Sequence, residues 1–301
     1  MSAWLFFALT APFLFSASQI FDKLLREKHL GTFTLSIFVG LASFWVLALV
    51  PFVDLAAVFS SPLVVIAGLA AGALFFLNAF PYFEAMSVDE ASRVIPLWAL
   101  EAPMVLIFAF VFLKERLLIA NYIGFAAVVS GAFLVSAKKV KDVFKPSKAF
   151  LLMLLATFFT ATAVIIVKWL YSQLSFWPIQ LLSGIGGGTA ALLVAFLFSG
   201  KKGPSSFREI LRLKKKTFLL LGLREIAVNG GFLLYGLAIM TGSVSLSVAL
   251  SQLNALYMLI MATFISTFRP GILLEVINRK TLLIKAAAIF LIILGVFAIN
   301  V

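Results

Sequence analysis

"AGLAAGALFFLNAFPYFEAM" (67–86) and "LGLREIAVNGGFLLYGLAIM" (221–240) can be laid over one another. Both are apolar over a membrane-spanning length. Both carry Gly-Leu near the start, and both end on Met with an alanine one or two places before it. Working outward, "FSASQIFDKLL" (15–25) lies over "TATAVIIVKWL" (160–170), which aligns Lys23 with Lys168, and "PMVLIFAF" (103–110) lies over "YMLIMATF" (257–264). Identity is low, but the order of the segments and the positions of the small residues agree. The chain therefore reads as one unit written twice.

Apolar stretches lie near 3–22, 31–53, 62–86, 91–113, 117–137, 149–171, 176–199, 217–241, 243–268 and 281–300. A helix of ~20 mostly apolar residues crosses the ~30 Å hydrocarbon layer. Each copy holds five such stretches. Five is odd, so the second copy enters the membrane from the opposite side, as in transporters that alternate access around a central site. The expected fold is an all-α integral membrane protein of ten transmembrane helices arranged as two inverted five-helix repeats. The first repeat covers 1–140 and the second 149–301. The linker 141–148 falls in the basic segment "KKVKDVFKPSK" (138–148). The other long turn, "KKGPSSFREILRLKKK" (201–216), mixes Phe207, Ile210, Leu211 and Leu213 with cations, and reads as a headgroup-level amphipathic helix or a solvated charge run.

Composition narrows the chemistry. The 301 residues are 63% hydrophobic and 12% charged, against ~25% charged in a soluble domain. Cysteine is absent and His29 is the only histidine. Disulfides, thiolate metal sites, cysteine nucleophiles, histidine triads and histidine-rich metal sites are thereby excluded. There is no HExxH pair and no GxxxxGK[ST] loop. The remaining acids of the apolar stretches have no His or Cys to work with, so neither an enzyme nor an ATP-driven machine is expected, and no cofactor or metal. The net charge of +12 fits turns beside anionic lipid headgroups rather than nucleic acid. Nineteen of the 24 Lys and Arg fall in or beside turns that follow odd-numbered stretches. Only Lys114 and Arg116 fall in the others, and Lys168, Arg224 and Lys285 lie inside stretches. The positive-inside rule then places the odd turns in the cytoplasm and both termini outside.

"FVFLKERLLIANYIGFAAVVSGAFLVS" (110–136) resembles the end of an EamA domain of the drug/metabolite transporter superfamily: an apolar helix, a Gly-Glu-Arg-like turn (Lys114-Glu115-Arg116), and a helix with glycines seven apart, Gly124 and Gly131. Upstream, "EASRVIPLWALEAPMVLIFAFVFL" (90–113), with Pro103, is similar to the fourth helix of that family. The second half departs from it, with "FRPGILLEVINRKT" (268–281) in place of the Glu-Arg turn. The resemblance implies ten helices in an inner membrane and the export or import of a metabolite. Relatives commonly have cytoplasmic termini, the reverse of the orientation that the charges give here.

A charge at the bilayer centre costs ~2.5–3.5 kcal/mol on insertion scales, so each polar group there is a site candidate. Glu101 falls near mid-depth of the fourth stretch, with Trp98 on its face and Pro96 and Pro103 interrupting the backbone ladder. Glu225 and Asn229 share a face of the eighth stretch ahead of Gly230-Gly231, a break that the repeat pairs with Asn78, Pro81 and Tyr82 of the third. Ser247, Ser251, Asn254 and Met258 form a stripe on the ninth, near Tyr257. This stripe is either part of a site or interhelical glue. Ser16, Gln19, Thr157 and Thr160 can add to the lining. Glu101, Trp98, Asn78, Tyr82, Glu225, Asn229, Ser251, Asn254 and Tyr257 are the expected substrate-binding residues, with Glu101 the candidate for proton coupling.

Competing structural roles are open for several groups. Arg224 stands beside Glu225. Glu84, Asp89 and Glu90 can reach headgroups, and Lys23 and Lys168 can snorkel from helix ends. Gly68, Gly72, Gly184 and Gly186 to Gly188 read as close-packing surfaces. The function expected is secondary transport of a small polar or amphipathic metabolite, amino-acid-like or drug-like. A flippase for a lipid-linked substrate is the alternative, and a non-transport scaffold is a more distant one. The partners are a small-molecule substrate, membrane lipid and possible protons.

Overall fold

A computed structural model of the chain describes residues 3–59, 61–113, 118–136, 146–198, 213–241, 250–251 and 253–299. The Lys114-Glu115-Arg116 turn, the 201–212 part of the amphipathic segment, Ser247 and most of 268–281 lie outside the described residues. Among those described, every regular element is a helix. These are α1 (Ala3–Lys28), α2 (Thr32–Ala42) running into a 3-10 segment (Ser43–Phe52), α3 (Leu55–Val58), α4 (Pro62–Leu77) and α5 (Ala79–Val88). There follow α6 (Ala91–Val94), a 3-10 segment (Ile95–Leu100), α7 (Glu101–Leu113), α8 (Ile119–Ser136), α9 (Lys148–Leu170) and α10 (Phe176–Leu197). The last three are α11 (Lys215–Thr241), α12 (Leu253–Phe268) and α13 (Arg279–Ile299). Among the described residues, seven helical segments are long and apolar enough to cross a membrane: Trp4–Glu27, Thr32–Phe52, Pro62–Val88, Lys148–Leu170, Phe176–Leu197, Lys215–Tyr235 and Lys280–Ala298. The helices at Ile119–Ala132 and Leu253–Phe268 are apolar but shorter, and the stretch 91–113 is divided among α6, the 3-10 segment and α7.

The breaks follow local chemistry. Pro96 and Pro103 have no N–H to offer the carbonyls of Ser92 and Ala99, so the ladder tightens between them. There the Glu101 N–H turns to the Trp98 carbonyl three residues back, the 3-10 pattern. The third stretch breaks at Asn78, between α4 and α5. The expected counterpart in the second half does not break, because α11 runs unbroken through Gly230-Gly231. Those glycines serve packing instead. A Cβ on Gly231 would strike the Phe15 ring, and one on Gly230 would touch Leu14. Helix α1 also overruns its expected end at residue 22 by about two turns.

The chain packs as two compact units, each drawing on both halves of the sequence. One comprises Leu30–Phe83 and Leu155–Lys214. Its core joins Val46, Val64, Leu170, Leu181 and Leu182, with Ile37, Phe76 and Ala191 further along. Here α4 and α10 meet backbone to backbone. A Cβ on Gly72 would overlap the Ser183 carbonyl and the Gly187 amide, and one on Gly186 would overlap the Leu69 backbone. The glycines expected to be packing surfaces are such surfaces.

The other unit comprises Met1–His29, Glu84–Leu154 and Lys215–Val301. Helix α1 packs along α11 and also against α12, while α8 packs along α13. The α8–α13 pair has an internal symmetry. A Cβ on Gly131 would meet the Ala288 carbonyl and Ile292, and one on Gly295 would meet the Gly124 carbonyl and Val128. Adding 164 to Gly124, Val128 and Gly131 gives Ala288, Ile292 and Gly295, so each helix presents the same positions to the other. Contacts move down one helix as they move up the other, so the two run antiparallel. Each helix thus meets the other's backbone through a glycine.

Candidate functional site

In the unit built on α1, α11, α12 and α13, polar side chains fall into a mid-helix group and an ion cluster. The mid-helix group begins with Ser16, fully buried on α1. Its Oγ lies 2.7 Å from Asn254 Oδ1 and 2.9 Å from the Asn254 carbonyl, tying α1 to the start of α12. Tyr257, one turn along α12, stacks edge-on against Phe13 with ring centres 5.8 Å apart. On the α11 side, Phe15 packs edge-on against Phe232 and Tyr235. One turn below Ser16, the Gln19 Oε1 is buried and has no partner among the described residues.

Glu101 opens α7, immediately after the 3-10 segment. It is half-buried, and its carboxylate makes no hydrogen bond or ion pair among the described residues. Every other described carboxylate has a partner: Asp22 and Glu225 on Arg224, Glu27 on Lys23, Glu84 on Arg26 and Lys148, Asp89 and Glu90 on Arg93, and Asp54 on the Ala56 amide. Trp98, from the same 3-10 segment, is also half-buried.

The ion cluster takes in residues for which other roles were expected. Arg224 Nε donates to Asp22 Oδ1 at 2.9 Å, and its Nη1 to Glu225 Oε1 at 2.6 Å. Asn229 Nδ2 donates to the Glu225 carbonyl at 2.8 Å and to its Oε2 at 3.3 Å. Lys23 does not snorkel outward. It is 3% exposed, and its three protons go to the carbonyls of Met86 and Asp89, at 2.7 and 2.6 Å, and to Glu27 Oε1 at 2.9 Å. It thus caps the end of α5, where the helix dipole favours a cation. Lys168 is exposed. Asp89 and Glu90 do not reach out to headgroups. Lys285, 2% exposed, donates to Glu90 Oε2 and Ser92 Oγ, and Arg93 Nε lies 3.5 Å from Glu90 Oε1 and 3.9 Å from Asp89 Oδ1. Glu84 stays at the exposed rim with Lys148.

Of the remaining candidates, Asn78 and Tyr82 fall in the other unit, and Ser251 in the same unit as Glu101. Asn78, at the α4–α5 break, donates from Nδ2 to Thr160 Oγ1 on α9 at 3.1 Å. Tyr82 is buried and leans on Phe83. Ser251 is half-buried, just ahead of α12. Of the expected site residues, the structure therefore joins Asn254 to Ser16, Glu225 to Asn229, and Asn78 to Thr160. Asp22 and Lys285 were not singled out as candidates. The signal available was charges of opposite sign inside apolar stretches. No His/Cys/Asp/Glu group able to hold a metal occurs among the described residues.

No family model matches the chain. Over 71 residues, 24% of its length, it is 39% identical to an uncharacterized transporter in the cobO 3' region of Sinorhizobium sp. The match takes in 48% of that protein, so the chain spans about half the length of this curated relative. A protein of solved crystal structure, 16% identical, aligns over 99% of this chain and 97% of its own with a TM-score of 0.51. At that identity the likeness concerns the fold alone, and it extends over the whole length.

Proposed function

We propose that this protein is a multi-pass secondary transporter that carries a small polar or amphipathic solute by alternating access, with ten transmembrane helices in two inverted repeats. The observation that carries the reading is Glu101. It is a carboxylate within an apolar helical stretch, placed at a proline-made discontinuity and, among the described residues, without a partner while the other described acids are paired. Intramembrane ionisable groups are costly and mark substrate or proton pathways, and discontinuous helices are where transporter sites are built. The seven candidate spans, the transporter named among the similar proteins and the antiparallel, position-matched α8–α13 pair all support it.

Interior valences suggest what is bound. The buried cations Lys23, Arg93, Arg224 and Lys285 are taken up by acids and carbonyls. Glu101 and Gln19 Oε1, acceptors in the same unit, have no hydrogen-bond partner among the described residues. A solute with an ammonium or other donor group, or a proton exchanged for it, is what Glu101 would take. Asn254, Ser251, Glu225, Asn229, Trp98 and Tyr257 belong to the same unit as Glu101. Asn78 and Tyr82 belong to the other unit. The charge distribution supports termini outside an inner membrane.

A membrane-permeant carbodiimide tests the site without a known substrate, since the reagent adds to carboxyl groups in apolar surroundings. Peptide mass spectrometry is expected to find the adduct on Glu101 and not on the paired Asp22 or Glu225, and solute exchange is expected to stop as it forms. Adducts on Asp22 and Glu225 with Glu101 untouched would remove Glu101 from the site.

A further inference from the structure

The ion cluster consists of two sets of pairs that α1 brings together. Glu225, Arg224 and Asp22 form one, Asp89, Arg93, Glu90 and Lys285 the other, and Lys23, next to Asp22, donates to the main-chain carbonyl of Asp89. Stability alone does not account for it, because a buried ion pair is about neutral against well-packed apolar residues of the same size. Three features point elsewhere. First, its bonds join elements far apart in sequence: α11 to α1, α1 to the α5–α6 link, and α6 with that link to α13. Second, the link it grips, Asp89-Glu90, is two residues long and leads through a single helical turn into the 3-10 segment ahead of Glu101. Third, the cations Lys23, Arg93, Arg224 and Lys285 and the acid Asp22 are buried. With the pairs opened, each must be hydrated, because an unpaired charge in a dry interior costs several kcal/mol. A partly open state is disfavoured, which is what a two-position device requires.

We propose that this cluster of pairs is a latch. It closes one end of the unit by holding the Asp89–Arg93 link against α1 and α13, and it comes apart to admit water toward Glu101. The latch rests on the transporter reading only in being one state of a cycle.

Its test is water access, which needs no substrate. The chain has no cysteine, so single cysteines report cleanly. Ser18, 2% exposed, lies one turn from Asp22 on α1. Ser36 is fully buried in the other unit and serves as the control. An impermeant thiol reagent, applied to membrane vesicles from the side of the α1–α2 turn, is expected to label Ser18→Cys slowly in the parent. Adding Asp22→Asn or Lys285→Met should raise that rate by about tenfold or more, the effect of removing roughly 1.4 kcal/mol from the closed state. Ser36→Cys should stay slow, and the charge swap Asp22→Arg with Arg224→Asp should bring Ser18→Cys back toward the parent rate. Unchanged Ser18→Cys rates would overturn the latch, as would Ser36→Cys rising in step, which is general loosening. Unchanged rates in a protein that exchanges solute would remove the latch and leave the transporter. Raised rates in one that exchanges nothing would do the reverse.

Discussion

Arg224→Leu is expected to lose about 3–5 kcal/mol of stability, the cost of removing one partner from a buried ion pair. Arg224 is 8% exposed and pairs with both Asp22 and Glu225. Asp22 is itself 2% exposed, so its charge has no water to turn to. Glu225 loses less, since Asn229 still holds its Oε2. The cost is therefore concentrated on Asp22 and should be relieved there. The double variant Asp22→Leu with Arg224→Leu is expected to recover more than half of the loss, because apolar replacement of a whole pair is close to neutral. Thermal unfolding in detergent decides it. A single variant melting with the parent, or a double variant melting below the single, would contradict the assignment.

Gly72→Ala is the second large effect. One methyl group is added where α4 meets α10, and it would fall on the Ser183 carbonyl and the Gly187 amide. Those are backbone atoms of a regular helix and cannot rotate away, so the helices must separate. Overpacking of this kind costs about 1–3 kcal/mol and sometimes more. The upper end is expected because no side chain can absorb the strain. Two companions set the scale. Gly68→Ala meets only the Leu182 side chain and should cost less. Gly222→Ala has open space around it and should gain up to about 1 kcal/mol from helix propensity. The order of melting temperatures, Gly222→Ala above parent, then Gly68→Ala, then Gly72→Ala, checks the packing of both units at once. Gly72→Ala melting with the parent would show that α4 and α10 do not approach as described.

The helices were legible because hydropathy is a local property. The expected 149–171 became Lys148–Leu170, and 176–199 became Phe176–Leu197. The tight 95–100 segment was equally legible, since Pro96 and Pro103 act within one turn. Helix α1 was misread at its end because Asp22 and Lys23 resemble the edge of a membrane span. Their partners, Arg224 and the carbonyls of Met86 and Asp89, are 202, 63 and 66 residues distant in sequence, beyond any local pattern. The same reason explains Asp89 and Glu90, which look like solvated turn residues until Lys285 closes on Glu90. Gly230-Gly231 misled in the opposite sense. Glycine permits a break, but here it permits contact with α1, and sequence does not distinguish the two uses. Glu101 stood out because a lone acid in an apolar run is conspicuous whatever surrounds it.

Counterflow in proteoliposomes bears on the transporter reading with the fewest intermediate steps. Vesicles loaded with a mixture of unlabelled amino acids, amines, nucleosides and sugars are diluted into trace labelled solutes. Parent protein, Glu101→Gln and protein-free vesicles are compared. The expected result is transient accumulation of one donor-bearing class by the parent alone, with Glu101→Gln at the level of the protein-free vesicles. Equal accumulation by parent and Glu101→Gln would contradict the role given to Glu101, and accumulation of no solute by the parent would contradict the carrier itself.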